Sequence, residues 1–136
     1  MGRTLLLVED DPDWMAYIAM LARAEGYEVI ERRGMIKTPA EALTPDGALP
    51  TAALIDYRID PFVGLPIYRM MHELHIPAVI CTSYGRGDIA DHMEHNGHEP
   101  DLPAIIIKGD DDALRAFLRS PYAMADVIEH EQRVTA

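Results

Sequence analysis

Cysteine is nearly absent from this chain, and long apolar runs are missing. Cys81 is the only cysteine among 136 residues, so no disulfide can form within the chain. No apolar run approaches the roughly 20 residues that a membrane-spanning helix needs. The first residues also lack the basic stretch and the apolar segment of a secretion signal. We therefore expect a protein of the reducing cytoplasm that does not contact a membrane.

Basic residues are scarce as well. The chain has 12 lysine and arginine residues against 23 aspartate and glutamate residues, which gives a formal net charge of -11. Because binding to nucleic acid through phosphate contacts needs a basic face, we do not expect a nucleic-acid partner. Apolar residues make up 49% of the chain, which is enough for the core of one globular domain. The sequence shows no internal repeat.

Short strand-like segments alternate with segments of helical spacing along the chain. The strand-like segments are residues 5–8, 27–30, 52–55, 78–81 and 104–107. This alternation predicts an α/β fold with three layers, in which a doubly wound, five-stranded parallel sheet carries helices on both faces. We assign residues 1–120 to this domain and residues 121–136 to a C-terminal helical extension.

Several helix boundaries have clear local signals. Asp11 is a candidate N-cap, Pro12 follows at the first helical position, and Gly26 suits the end of the same helix. Thr38 and Glu41 have the spacing of a capping box, which predicts a short helix there. A later helix is predicted over residues 88–96.

Polar side chains stand at the ends of four of the predicted strands. Glu9 and Asp10 follow the first strand and Asp56 follows the third, while Thr82 and Lys108 stand at the ends of the fourth and fifth. The carboxyl ends of parallel strands meet at one edge of the sheet, where ligands bind. Three carboxylates in one place repel each other, and oxygen ligands with open positions suit Mg²⁺. Lysine and threonine add a cradle for a phosphoryl group.

The chain resembles the receiver domains of two-component response regulators. The matching pieces are LLLVEDD, ALIDYRIDPFVGL, PAVICTS and IIIK, in the family's order and at nearly its spacing, and the resemblance covers residues 3–119. It implies a flavodoxin-like fold with strand order 2-1-3-4-5. A single V-E-D-D would be a weak signal, but four strand-end motifs in order are specific.

The resemblance implies a role for each strand-end residue. Asp56 matches the phospho-acceptor, which takes a phosphoryl group from a phosphohistidine of a sensor histidine kinase. Glu9 and Asp10 match the acidic pair that holds Mg²⁺, and Arg58 is expected to offer its backbone carbonyl to the metal. Thr82 and Lys108 would bind the phosphoryl oxygens. The implied protein is a single-domain phosphorelay regulator rather than an enzyme, with at most weak self-catalysed phosphotransfer and autodephosphorylation.

The implied partners are a histidine kinase or phosphotransfer protein and a downstream protein target, and a homodimer is plausible. Two other functions stay open. One is a receiver-like interaction scaffold that phosphorylation does not switch. The other is a Mg²⁺-dependent phosphatase with Asp56 as nucleophile, although such enzymes place a second acid where this chain has Arg58.

Three positions depart from the family's pattern. Asp60 replaces the proline that is usual four residues after the acceptor, and the added charge predicts either weaker retention of the phosphoryl group or a steeper dependence on Mg²⁺. Gly109 replaces the proline after the lysine, and Ile105 replaces the aromatic residue that changes rotamer on activation. Tyr84 is a candidate substitute for that aromatic residue.

Histidines form the one other cluster of potential ligands. His92, His95 and His98 have a spacing that permits shared metal coordination on a helix, but exposed helical histidines are common without a metal. Both interpretations stay open here.

Overall fold

A computed structural model describes residues 2–59, 61–95 and 103–125 of the chain. The strands are β1 (Arg3–Val8), β2 (Tyr27–Arg32), β3 (Ala52–Ile55), β4 (Arg58–Ile59), β5 (Phe62–Val63), β6 (Ala78–Thr82) and β7 (Ile105–Ile107). The helices are α1 (Pro12–Ala24), α2 (Leu65–Glu73), α3 (Arg86–His95) and α4 (Asp111–Arg119), with a 3-10 turn over Pro39–Ala42.

Five strands form one parallel sheet in the order β2-β1-β3-β6-β7. When only the strands of this sheet are counted, the order is 2-1-3-4-5, as the resemblance implied. Val8 pairs with Ile55, which pairs with Ile80 on the next strand. This register aligns the carboxyl ends of the central strands, so the residues after them share one edge.

Side chains on successive strand positions pack into two separate cores, one on each face of the sheet. Leu5 and Leu7 of β1 pack with residues of α1 and α4. Leu6 and Val8 pack on the other face with residues of α2 and α3. The predicted three-layer α/β architecture is therefore confirmed.

The predicted ends of α1 are confirmed by its hydrogen bonds. The Asp11 carboxylate accepts from the backbone N–H groups of Asp13 and Trp14, at 2.8 and 3.3 Å. Pro12 occupies the first turn, where a missing N–H costs nothing. After the helix, Gly26 adopts a φ of +89°, which favours glycine.

The capping box predicted at Thr38 is wrong. The Thr38 side chain makes no capping hydrogen bond, and the segment forms only one 3-10 turn. The Glu41 carboxylate accepts instead from the backbone N–H of Lys37, at 2.9 Å. The Glu41 side chain therefore bonds to the residue before the expected N-cap, and no reciprocal cap forms.

Residues 58–63 form a feature that the sequence pattern did not predict. No strand was predicted in this interval, but β4 and β5 pair as a small antiparallel hairpin, with Arg58 opposite Val63 and Ile59 opposite Phe62. Two-residue strands are too short to show a period of two, so no pattern marks them.

The predicted C-terminal extension is described only at its start. Residues 121–125 are helical, and the Tyr122 hydroxyl donates to the backbone oxygen of His75 at 3.1 Å. The remainder of the extension lies outside the described residues, and the division at residue 120 stays a prediction. Among the residues that are described, no helix is both long enough and apolar enough to cross a membrane.

Phe117 allows a direct test of the core between the sheet and α4, because it is fully buried whereas Phe62 is 55% exposed. We expect Phe117→Ala to lower the free energy of unfolding by about 3–5 kcal/mol, through lost burial and a cavity. Urea denaturation measures this loss. The same truncation at Phe62 is the matched control and should cost less than about 1 kcal/mol. Equal losses for the two variants would contradict the assigned core.

Candidate functional site

The ladder of backbone hydrogen bonds continues past the strand ends and fixes the residues that follow. Asp56 donates its N–H to the Val8 carbonyl at 2.9 Å, and Lys108 donates its N–H to the Thr82 carbonyl at 2.8 Å. Glu9 is held in the same way by the carbonyl of Arg32, at 3.0 Å. These residues therefore extend the sheet, and their side chains start from well-defined positions.

Lys108 joins the carboxylates of two strands. Its Nζ lies 2.8 Å from Glu9 Oε2 and 3.2 Å from Asp56 Oδ2. The Lys108 and Glu9 side chains are only 5% and 1% exposed. Burial alone would lower the pKa of Lys108, but the hydrogen bond that its ammonium donates to Glu9 and the negative charges around it outweigh this effect and raise that pKa. Lys108 is therefore charged at neutral pH.

The predicted carboxylates come together. Glu9, Asp10 and Asp56 each offer one oxygen, and these oxygens lie within 4.8 Å of one another. Burial raises the pKa of Glu9 to about 7, against the lowering effect of the Lys108 hydrogen bond and with a further rise from Asp56. When all four groups are ionised, the three carboxylates and the Lys108 ammonium together carry a net charge of −2. The site is therefore short of positive charge.

The donor set fits a hard divalent cation. All three ligands are carboxylate oxygens, and histidine and cysteine are absent from this group. Oxygen ligands select Mg²⁺ or Mn²⁺ over softer metals. One divalent ion would balance the excess charge, and Asp10, which is partly exposed, leaves one side open to solvent.

Thr82 and Arg58 are the two remaining predicted site residues. Thr82 ends β6 and is fully buried, and its Oγ1 accepts from the N–H of Tyr84 at 3.2 Å. Its pairing with Ile107 places it beside the residue that precedes Lys108. Arg58 opens the hairpin two residues after Asp56, with an exposed side chain, and a role for its carbonyl stays a prediction.

Trp14 has a role that helical spacing alone did not reveal. The Lys108 Nζ lies 5.4 Å from the centre of the Trp14 ring, within the range of a cation–π contact. The indole therefore covers the same ammonium that bridges Glu9 and Asp56.

Gly64 fits closely against the acceptor strand. A Cβ built on Gly64 would lie 2.1 Å from the backbone oxygen of Asp56 and 2.7 Å from Cγ2 of Ile55. The Gly64 N–H also donates to the Tyr57 carbonyl at 2.6 Å. No local signal distinguishes this glycine from one that merely lies in a loop, since its φ is an ordinary -82°.

The three departures from the family's pattern have different outcomes. Gly109 adopts a φ of +98°, a conformation that L side chains rarely adopt. Ile105 is 6% exposed and belongs to the core on the α2 and α3 face. Tyr84 is 41% exposed. Asp60 lies outside the described residues.

The histidine cluster is described only in part. His92 Nδ1 lies 2.5 Å from the Tyr57 hydroxyl, whereas His95 Nδ1 lies 2.9 Å from the Asp91 carbonyl. His98 lies outside the described residues, so a shared metal stays a hypothesis. Cys81 is buried, and burial raises the pKa of its thiol to about 12, which keeps the thiol protonated.

Comparison with known proteins gives a consistent fold. Neither the protein-family models nor the curated protein sequences include a match to this chain. Solved structures do match. A CheY-like response regulator receiver domain from Methanospirillum hungatei JF-1 is 20% identical with a TM-score of 0.59, over 96% of this chain and 99% of that one.

Two further similar structures are of an activated receiver domain and of a metal-bound response regulator. The BeF3-activated DrrB receiver domain is 16% identical with a TM-score of 0.63, over 90% of this chain and 99% of that one. The Mn²⁺-bound form of response regulator Rcp1 is 15% identical with a TM-score of 0.60, over 85% and 91%. The chain therefore has the fold of CheY-like response-regulator receiver domains, as the motifs indicated.

Gly64→Ala tests the close packing behind Asp56. The added methyl group meets a backbone oxygen rather than a flexible side chain, so we expect a loss of about 1–3 kcal/mol in the free energy of unfolding. Gly34→Ala is the matched control, because a Cβ there meets nothing within 4 Å. Chemical denaturation compares the two variants. A Gly64→Ala protein as stable as Gly34→Ala would show that the contact is not tight in solution.

Mg²⁺ should stabilise the protein through the three carboxylates. At a Mg²⁺ concentration of 100 times the dissociation constant, binding to the folded state alone adds about 2.7 kcal/mol. Thermal unfolding with and without Mg²⁺ measures this gain. We expect Asp10→Asn to abolish most of it, whereas Asp46→Asn, which removes an exposed loop acid, should leave it intact. A gain of equal size in both variants would place the cation elsewhere.

Proposed function

We propose that this protein is a response regulator that accepts a phosphoryl group on Asp56 in a Mg²⁺-dependent reaction. One observation carries the proposal: a buried lysine and three clustered carboxylates converge at the carboxyl edge of a receiver-type sheet. Structural ion pairs are usually balanced, but this group has more negative charge than Lys108 can neutralise. Such an arrangement suits a site that awaits a cation and a charged substrate.

The reaction needs positioning and charge neutralisation more than covalent chemistry by the protein. A carboxylate oxygen of Asp56 attacks phosphorus in line while the P–N bond of a phosphohistidine breaks. The donor imidazole leaves, and Asp56 becomes an acyl phosphate. Lys108, already bound to Asp56, and Thr82, at the next strand end, would bind the phosphoryl oxygens.

Glu9, Asp10 and Asp56 would hold Mg²⁺, together with the Arg58 carbonyl that the resemblance implies. The ion would supply charge that offsets the repulsion between the attacking carboxylate and the phosphoryl oxygens. Support comes from the similar folds, because Rcp1 is described with bound Mn²⁺ and DrrB as activated by BeF3.

The partners follow from this chemistry. A histidine kinase or phosphotransfer protein in the cytoplasm would supply the phosphoryl group, and a downstream protein would read the phosphorylated state. A homodimer is compatible with this function. We do not assign an enzymatic activity beyond weak self-catalysed phosphotransfer and autodephosphorylation.

One observation favours the alternative of an interaction scaffold that phosphorylation does not switch. Ile105 is buried in the core and has no hydroxyl group or ring, so it cannot reproduce the rotamer change of the usual aromatic residue. This alternative keeps the fold but predicts no phosphoryl adduct or no structural response to one.

Acetyl phosphate separates these functions. With Mg²⁺ present, we expect the protein to gain the mass of one phosphoryl group in an adduct that is stable to acid and cleaved by hydroxylamine, as an acyl phosphate is. Intact-protein mass spectrometry detects the adduct. Chelation of Mg²⁺ and Asp56→Asn should each abolish it, whereas Asp46→Asn should leave it unchanged.

A folded wild-type protein that takes up phosphate neither from acetyl phosphate nor from a histidine kinase domain would overturn the proposal. An adduct that survives Asp56→Asn would assign the acceptor to another residue. Circular dichroism confirms that each variant is folded.

A further inference from the structure

Tyr57 connects the strand that carries the acceptor to α3. It directly follows Asp56 and is 2% exposed. Its hydroxyl lies 2.5 Å from Nδ1 of His92 on α3. The Tyr57 and His92 rings also meet edge to face, with centroids 5.4 Å apart and an interplanar angle of 85°. The Tyr84 ring meets the Tyr57 ring in the same way, with centroids 6.5 Å apart and an interplanar angle of 68°. A hydrogen bond and an edge-to-face ring contact therefore join Tyr57, the residue after Asp56, to α3.

The donor and acceptor roles in this hydrogen bond depend on the tautomer of His92. Burial raises the pKa of Tyr57, partly offset by the charge of Arg58, so the phenol keeps its proton at neutral pH. The hydroxyl donates to Nδ1 when the imidazole carries its proton on Nε2, and accepts when the proton is on Nδ1.

Helix α3 has few apolar contacts of its own. Only Ile89 and Met93 of this ten-residue helix are buried. By comparison, the nine-residue α4 buries Leu114, Phe117 and Leu118. A helix held by so few apolar side chains opens at a low free energy, so the polar and aromatic contact of His92 with Tyr57 is a substantial part of what holds it.

The surroundings allow Tyr57 to move while its backbone stays fixed. The Tyr57 carbonyl accepts from Gly64, and the Asp56 carbonyl is in close contact with the same glycine. A cavity of about 370 Å³ lies beside the ring, and it is lined by Tyr57, Arg58, Tyr84, Asp88, Ile89 and His92. The side chain therefore has space to change position, whereas the peptide does not.

We infer that Tyr57 and His92 couple Asp56 to α3, in place of the aromatic residue that is absent at position 105. In this arrangement, a phosphoryl group on Asp56 displaces the Tyr57 side chain into the cavity and breaks its hydrogen bond to His92. Helix α3 is thereby loosened and presents a different surface to a partner. The inference rests on the proposed function of Asp56 and names the positioning residues that would transmit its change.

Amide hydrogen exchange with beryllium fluoride and Mg²⁺ tests this coupling. Fluorine NMR shows whether beryllium fluoride is bound at the site. Mass spectrometry of peptides over residues 86–95 measures the exchange that reports the opening of α3. On loading, we expect exchange in wild-type α3 to rise about two- to tenfold, the effect of one hydrogen bond on an opening equilibrium. Tyr57→Phe should exchange rapidly before loading and change no further.

His92→Gln should behave like Tyr57→Phe, and the double variant should add nothing beyond either single change. Tyr84→Phe is the matched control, because it removes a hydroxyl from the same cavity wall but leaves the Tyr57–His92 bond intact. The two single variants, the double variant and the Tyr84→Phe control should all still bind beryllium fluoride.

The outcomes separate the two proposals. Absence of bound fluoride in the wild type would overturn the proposed function. Bound fluoride with unchanged or slower exchange in α3 would leave the function standing and overturn the coupling. A Tyr57→Phe protein that responds as the wild type does would also overturn it.

Discussion

The ion pairs of Lys108 are the interaction on which the rest of the site depends. One ammonium group bonds to Glu9 after β1 and to Asp56 after β3, while its own backbone extends β7. Removing a partner from a buried ion pair leaves an uncompensated charge, at a typical cost of about 3–5 kcal/mol. The Lys108 ion pairs therefore help to hold the ends of β1, β3 and β7 together, although the site as a whole still carries excess negative charge.

That remaining negative charge connects structure with proposed function. A sheet edge that gathers three carboxylates is stable with one lysine but is better balanced with a divalent cation. The same edge is rigid on one side, where Gly64 contacts the Asp56 carbonyl, and open on the other, beside Tyr57. In the proposed coupling, a change of charge at Asp56 is transmitted through Tyr57 toward α3.

Local signals predicted the elements well where a period or a cap was long enough to detect. The apolar run at Leu5 marked β1, and Asp11 marked the start of α1 through its capping hydrogen bonds. Prediction failed for the 3-10 turn at Thr38 and for the hairpin at residues 58–63. In these short segments, neighbouring contacts rather than periodicity decide the conformation.

The resemblance to receiver domains implied the sheet order, whereas the sequence by itself determined the α/β class and the acidic group formed by Glu9, Asp10 and Asp56. The fold class and the acidic group follow from where the strands lie and end. An apolar run followed by a polar residue marks each of these ends in the sequence. Tertiary structure alone decided that Lys108 bridges two strands beneath Trp14 and that Tyr57 meets His92, 35 residues away. Such contacts depend on side-chain direction and on distances across the sheet, which spacing along the chain does not encode.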